Sequence, residues 1–115
     1  MSGLDVTTWD EYRAMRLAAV DVSLRVCREM KARVERLLVD GEHLREAMAH
    51  ARAALRAGPR IPEREAREEV DACERAYLDV MAEALDAQRT LVHWLDLAEQ
   101  YAREYAALPA TQPDA

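Results

Sequence analysis

The sequence predicts an all-α protein, a long antiparallel helical hairpin of coiled-coil type that dimerises into a four-helix bundle. Apolar or small residues recur at alternating steps of four and three from Ala66 to Leu108, the heptad spacing of a helix packed against another helix. A stretch with similar spacing precedes it, and the chain has only 3 glycines and 4 prolines in 115 residues. The thirteen positions of the later stretch are Ala66, Val70, Cys73, Tyr77, Val80, Ala84, Ala87, Leu91, Trp94, Ala98, Tyr101, Tyr105 and Leu108.

Helix A is expected at about residues 8–57. Thr8 and Glu11 match a capping box, in which each side chain accepts a hydrogen bond from the other residue's backbone amide. Three consecutive steps of four between Val22 and Val34 add one residue to the heptad phase, so we expect a local slip there. The seam positions of helix A are Tyr12, Met15, Ala19, Val22, Val26, Met30, Val34, Leu37, Gly41, Leu44, Met48, Ala51 and Leu55.

One dipeptide within helix A and one just after it have the composition of turns. Asp40-Gly41 would split the helix and give an intramolecular three-helix packing. We favour one helix, because the apolar spacing continues across this pair. Gly58-Pro59 ends helix A, since glycine suits the left-handed position after a helix and proline suits the exit. The expected turn covers residues 58–61.

Helix B is expected at about residues 62–108. Pro62 suits a first helical position, and Glu63 and Glu65 complement the positive end of the helix dipole. The other expected boundaries are a flexible lead-in at residues 1–7, a single helical-hairpin domain at 8–109 and a disordered tail at 110–115.

A turn of about four residues folds helix B back along helix A, and the two seams then pair one to one. At the middle of the hairpin, Gly41 lies opposite Val80. Beyond the slip the offset changes by one, so that Val22 lies opposite Ala98. Flanking ion pairs agree with this register, namely Arg16 with Glu104, Arg33 with Asp86, Arg36 with Glu83, Arg45 with Glu74, Arg52 with Glu68 and Arg56 with Glu63.

The charge of the chain disfavours several partners. The net charge is −6, and residues 1–60 carry eleven basic against nine acidic side chains, while the remainder carries five against thirteen. An acidic protein repels phosphates, so no DNA partner is expected, and RNA is disfavoured despite an arginine-rich stripe at residues 25–36. No stretch is apolar enough for a membrane helix, and the N-terminus lacks the pattern of a signal peptide. We therefore expect a cytoplasmic protein with no cofactor and no membrane association.

A second apolar row lies beside the seam. A single hairpin cannot cover such a row, and an exposed apolar face of this length marks an interface. We therefore expect a non-enzymatic protein–protein interaction module, such as an adaptor, assembly factor or small chaperone. Its partner is another protein or a second copy, with a homodimer as the expected form. The expected interface residues are Leu78, Met81, Leu85, Val92 and Leu95 on helix B, and Leu17, Val20 and Leu24 on helix A.

A metal site is one alternative function. His43, Glu46 and His50 lie on one face of helix A at spacings of three and four, and the register brings Glu69 and Asp71 near His50. Imidazole and carboxylate groups are ligands for zinc and other divalent ions. In this alternative, the three helix A residues hold a metal within a helical bundle.

An enzyme is the other alternative. The stretch Arg45-Glu-Ala-Met-Ala-His50 resembles the Arg-x4-His motif of HEPN ribonucleases, which are all-helical dimers. This resemblance implies that Arg45 and His50 act on the RNA 2′-hydroxyl and phosphate.

The two cysteines, Cys27 and Cys73, lack CxxC spacing and are expected to be reduced packing residues. The register brings Cys27 close to His93, as a pair that activates a thiolate requires. No orienting third group accompanies the pair, so packing is the better interpretation.

Overall fold

The computed structural model of the chain consists of two α-helices, α1 (Val6–Ala57) and α2 (Glu63–Ala106), joined by a short loop. It describes residues 6–113, with side chains from residue 8 onward. No strand occurs among these residues, and the predicted all-α helical hairpin is confirmed. Dimerisation stays a prediction, because the structure describes one chain.

α1 passes through Asp40 and Gly41 without a break, so the three-helix alternative is wrong. Gly41 is buried against α2, and a Cβ built on it would lie 3.1 Å from Met81 Sδ and 3.9 Å from Val80 Cγ1. The predicted layer of Gly41 and Val80 is thereby confirmed. The missing side chain lets the two helices approach closely at this layer.

α1 begins earlier than expected, at Val6. Thr8 therefore lies inside the first turn and does not occupy the N-cap position, so the predicted capping box of Thr8 and Glu11 is wrong. Residues 6 and 7 of the expected lead-in are helical, and residues 1–5 lie outside the described residues.

The loop between the helices follows the turn chemistry of its sequence. Gly58 has φ of 92°, the left-handed conformation that glycine adopts without a steric penalty, and it follows directly on the end of α1 at Ala57. The carbonyl of Pro62 accepts a hydrogen bond from the amide of Ala66 at 3.1 Å, so Pro62 precedes the first helical residue. α2 then begins with Glu63 and Glu65 in its first turn, where carboxylates complement the helix dipole.

α2 ends at Ala106. A final turn follows, in which the amide of Ala107 donates to the carbonyl of Arg103 and that of Leu108 donates to Tyr105, both at 3.0 Å. Residues 109–113 have no regular secondary structure, and residues 114 and 115 of the expected tail lie outside the described part of the chain.

The chain divides into two compact units. One unit, Lys31–Arg89, contains the loop and the adjoining halves of both helices. Its α1 seam has the predicted phase, and each predicted position is buried or half-buried. These positions are Val34, Leu37, Gly41, Leu44, Met48, Ala51 and Leu55.

The other unit combines Met1–Met30 with Thr90–Ala115, and here the α1 seam departs from prediction. Val22, expected in the seam, is exposed, whereas Ser23 beside it is only 1% exposed. The Ser23 hydroxyl donates to the carbonyl of Val20 at 2.8 Å, which satisfies the polar group in its buried position. The predicted phase slip is therefore wrong, because the steps of three and four continue through Ser23.

The α1 seam of this unit also departs from the predicted seam in the layers on either side of Ser23. Met15, a predicted seam residue, is exposed, and Arg16 is half-buried in its place. Val20, which was expected beside the seam, and Cys27, which was expected to be a packing residue, are both buried. The residues that follow the unbroken heptad phase in this part of α1 are Arg16, Val20, Ser23, Cys27 and Met30.

The buried core consists mainly of small side chains. In the described part of the chain, the buried hydrophobic residues are Val20, Cys27, Ala66, Val70, Ala84, Ala87 and Ala98. The chain has an accessible surface of 8597 Å², about a third more than the roughly 6,400 Å² typical of a folded monomer of this mass. In the described part of the chain, eleven large hydrophobic side chains are at least 40% exposed.

Candidate functional site

An apolar groove lies beside the seam in the Lys31–Arg89 unit, where the sequence predicts interface residues. Leu78 and Leu85 are 58% and 49% exposed, and Met81 between them is half-buried. We call this depression of about 330 Å³ the Leu85 groove. Its lining residues are Val34, Leu38, Met81, Ala84, Leu85 and Gln88.

Four of the six lining residues of the Leu85 groove lie outside the predicted interface set: Val34 and Ala84 belong to the predicted seam, and the other two are Leu38 and Gln88. Leu38 of α1 is 49% exposed and lines the groove together with Leu85 of α2. Gln88 is polar, so an apolar pattern does not select it. The signal for Gln88 is positional, since it completes the steps of three and four between Leu85 and Val92.

The predicted interface residues of the other unit are exposed, with one exception. Val20 is 9% exposed and belongs to the seam, so its assignment to the interface is wrong. The remaining four residues are between 40% and 52% exposed, and they are Leu17, Leu24, Val92 and Leu95.

The predicted ion pairs are only partly formed. The pair of Arg16 and Glu104 is confirmed, whereas Arg52 lies 3.8 Å from Glu74 instead of pairing with Glu68. Other acidic and basic groups pair along their own helix, because side chains three or four residues apart are closest. These local pairs are Arg45 with Glu42, Arg64 with Glu68, Arg67 with Glu63, and Arg103 with Glu99.

The carboxylate of Glu104 accepts hydrogen bonds from side chains of both helices. Gln100 donates to its Oε1 at 3.0 Å, and Arg16 donates to its Oε2. The hydrogen bond from Gln100, with the charge and hydrogen bond of Arg16, holds the pKa of Glu104 below its usual value against the opposing effect of burial. This carboxylate therefore links α1 to α2 in its ionised form.

A second cluster ties the start of α1 to the segment after α2. Trp9 and Tyr12 stack with ring centroids 5.6 Å apart, and Trp9 Nε1 donates to the carbonyl of Pro109 at 3.4 Å. The Arg13 guanidinium lies 5.6 Å from the Tyr105 ring centroid, within the range of a cation–π contact. Trp9 is thus engaged in contacts within the chain.

The described residues do not assemble the alternative metal site. His43, Glu46 and His50 are exposed, and no group of three potential ligands converges within residues 6–113. His43 and His50 are seven residues apart, about two turns of α1. No metal-binding cluster forms around these three side chains in the described part of the chain.

Arg45 and His50, the pair suggested by the HEPN resemblance, are not brought together either. Both side chains are exposed, and Arg45 Nη2 lies 3.5 Å from Glu42 Oε1. Five residues along a helix rotate a side chain by about 140° from the first, since each turn takes 3.6 residues. The two side chains consequently point in different directions from α1.

Cys27 and His93 do not form a reactive pair. Cys27 is buried, whereas His93 is exposed and has its ring edge-on to Trp94, with centroids 6.4 Å apart. Cys27 and Cys73 are both free thiols. A shielded thiol lacks the exposed, electropositive surroundings of a nucleophile, so Cys27 serves packing.

Within residues 6–113, neither helix combines the length and apolarity that crossing a bilayer requires. Comparisons of the chain with protein-family models, with curated proteins and with solved structures find no match.

Proposed function

We propose that the protein is a non-enzymatic helical module that binds a protein partner through the Leu85 groove and the leucines flanking it. One observation carries the proposal: alanines predominate among the fully buried residues and the large seam side chains are only half-buried, while other large apolar side chains stand exposed at heptad spacing. In a self-sufficient hairpin the large side chains fill the core. The distribution here favours a surface that is completed by another molecule.

The size of the available free energy indicates what kind of partner fits. Fully burying a leucine contributes about 1.5–3 kcal/mol. Leu78 and Leu85 are half-exposed, so for each of them about half of this free energy is still available to a partner that covers the side chain. Association costs at least about 4 kcal/mol in lost translational and rotational freedom. A partner must therefore cover several of these side chains together, as an amphipathic helix does with residues at steps of three and four.

The experiment compares two substitutions that add the same charge. Leu85→Glu places a carboxylate in the groove, whereas Val39→Glu places one at a position of similar exposure, 54%, outside the groove. Sedimentation equilibrium and native mass measurement give the mass of the assembly, and circular dichroism checks that helical content is retained. We expect Leu85→Glu to dissociate the assembly and Val39→Glu to preserve it.

Two results would contradict the proposal. One is a wild-type protein that neither self-associates nor forms a stoichiometric complex with another protein of its native cell. The other is an assembly that responds equally to Leu85→Glu and Val39→Glu, since the groove would then have no special part in it.

A further inference from the structure

We infer that the segment after α2, residues 109–113, is a strap that opens and closes over the start of α1 while the two helices beneath it stay packed. Every residue involved belongs to the unit that combines Met1–Met30 with Thr90–Ala115. The inference concerns a different part of the chain from the Leu85 groove, and it does not depend on the proposed function. Opening frees the side-chain donors of Trp9 and Arg13, so the strap controls access to them.

The closed strap is held by two side chains of α1. Trp9 Nε1 donates to the carbonyl of Pro109 at 3.4 Å, and Arg13 Nη1 donates to the carbonyl of Ala110 at 3.5 Å. Trp9 and Arg13 are four residues apart, so they lie on the same face of α1. Two neighbouring donors on one helix face thus meet two consecutive carbonyls of the strap. Both hydrogen bonds are exposed and longer than the usual range of about 2.7–3.2 Å, so each is weak.

The prolines of the strap explain how two weak hydrogen bonds hold it closed. Pro109 and Pro113 stand at its two ends, and a proline has a fixed φ and no backbone N–H. Neither residue can therefore extend α2 by a further helical hydrogen bond. A segment whose backbone is already restricted loses less conformational freedom when it docks.

The side chain of Arg13 opposes closure. Its guanidinium lies 5.6 Å from the Tyr105 ring centroid, and its Nε is buried without a hydrogen-bond partner within the described residues. A buried donor without a partner destabilises the arrangement that buries it, because the group has given up its bond to water. Since Ala110 of the strap contacts this same guanidinium, opening lets water reach Arg13 and offsets part of the lost bonding.

Separation of the two helices requires much more than opening of the strap. The helices of this unit bury Val20, Cys27 and Ala98 between them, whereas Pro109 and Ala110 are exposed even when the strap is closed. Opening therefore uncovers none of the buried core. Segments with few buried apolar contacts open at a lower free energy than the whole protein unfolds. The strap therefore opens more often than the hairpin comes apart.

Hydrogen exchange of the indole N–H groups tests the strap in the full-length protein. The chain has two tryptophans, Trp9 and Trp94, whose indole signals are followed by NMR and assigned with Trp9→Phe. We expect Pro109→Gly to speed exchange at Trp9 by about two- to fivefold, because glycine gives the open strap more conformational freedom. Pro113→Gly makes the same change beyond both hydrogen bonds and is expected to leave the Trp9 rate unchanged. The Trp94 rate is expected to stay constant in both variants.

The dependence on urea separates strap opening from unfolding of the hairpin. An opening that exposes little surface responds weakly to urea, so we expect a constant Trp9 rate at urea concentrations below the unfolding transition. A Trp9 rate that rises with urea in parallel with global unfolding would overturn the inference, because the strap would then open only with the helices. Equal Trp9 rates in the wild type and Pro109→Gly would also overturn it, as would equal rises in Pro109→Gly and Pro113→Gly.

Discussion

Gly41→Ala tests how closely the two helices must approach at the Gly41 layer. Alanine is favoured over glycine inside a helix by about 1 kcal/mol. Against this gain, the new Cβ would lie 3.1 Å from Met81 Sδ, so the sulfur must withdraw by a few tenths of an ångström. A methionine side chain is flexible, and Met81 borders the open Leu85 groove, so the shift costs little.

We therefore expect Gly41→Ala to raise the free energy of unfolding by about 0.5–1 kcal/mol, which corresponds to about 2–4 °C in Tm for a chain of this size. Thermal and urea unfolding followed by circular dichroism at one fixed protein concentration measure the change. The concentration must be matched, because self-association raises the apparent stability. Ala47→Gly, at an exposed position of the same helix, calibrates the propensity difference.

A loss of more than about 0.5 kcal/mol in Gly41→Ala would refute this reasoning, since it would mean that Met81 cannot withdraw. The double variant Gly41→Ala with Met81→Ala distinguishes the causes. If the Met81 contact alone limits the gain, then adding Gly41→Ala to Met81→Ala recovers the full propensity difference. If the helix backbones themselves are too close, the double variant remains destabilised.

Two further predictions concern the unit that contains both chain termini. Ser23→Leu is expected to lower the free energy of unfolding by about 1–3 kcal/mol through overpacking. Val22→Ser, at the exposed position, is expected to change it by less than about 0.5 kcal/mol. Urea unfolding measures both variants, and equal losses would contradict the unbroken heptad phase. Glu104→Gln is expected to weaken the acid dependence of unfolding: a lowered folded-state pKa gives stability that is present above the unfolded-state value near about 4.3 and is lost as pH falls through the folded-state value. Thermal unfolding of the wild type and Glu104→Gln from pH 7 to 3 measures this effect, and parallel curves would contradict it.

The sequence predicts α2 better than α1, and residue chemistry explains the difference. Every seam position of α2 carries an apolar or small residue, and all thirteen are buried or half-buried in the structure. In the first half of α1, Val22 and Met15 are more hydrophobic than their neighbours Ser23 and Arg16, so an apolar pattern selects the wrong positions. Burial of Ser23 depends on a backbone acceptor that spacing does not reveal.

The site was predictable where position and hydrophobicity agree. Leu78 and Leu85 satisfy both criteria and are exposed beside the seam. Gln88 satisfies only the criterion of position. Val20 belongs to the predicted apolar row, but the corrected phase places it inside the core. Ion pairs across the seam were harder to predict, because a helix offers each charged side chain a closer partner three or four residues away.

The corrected phase of α1 also bears on the proposed interface residues of this helix. With a slip between Val22 and Val34, Leu38 would occupy a different heptad position from Leu17 and Leu24. The unbroken phase through Ser23 gives these three leucines the same heptad position. Each directly follows a seam residue, and successive leucines are 7 and 14 residues apart. All three are at least 40% exposed, as a position flanking the seam requires. The burial of one serine thus makes α1 a regular contributor of large apolar side chains beside the seam, the same kind of row that α2 carries.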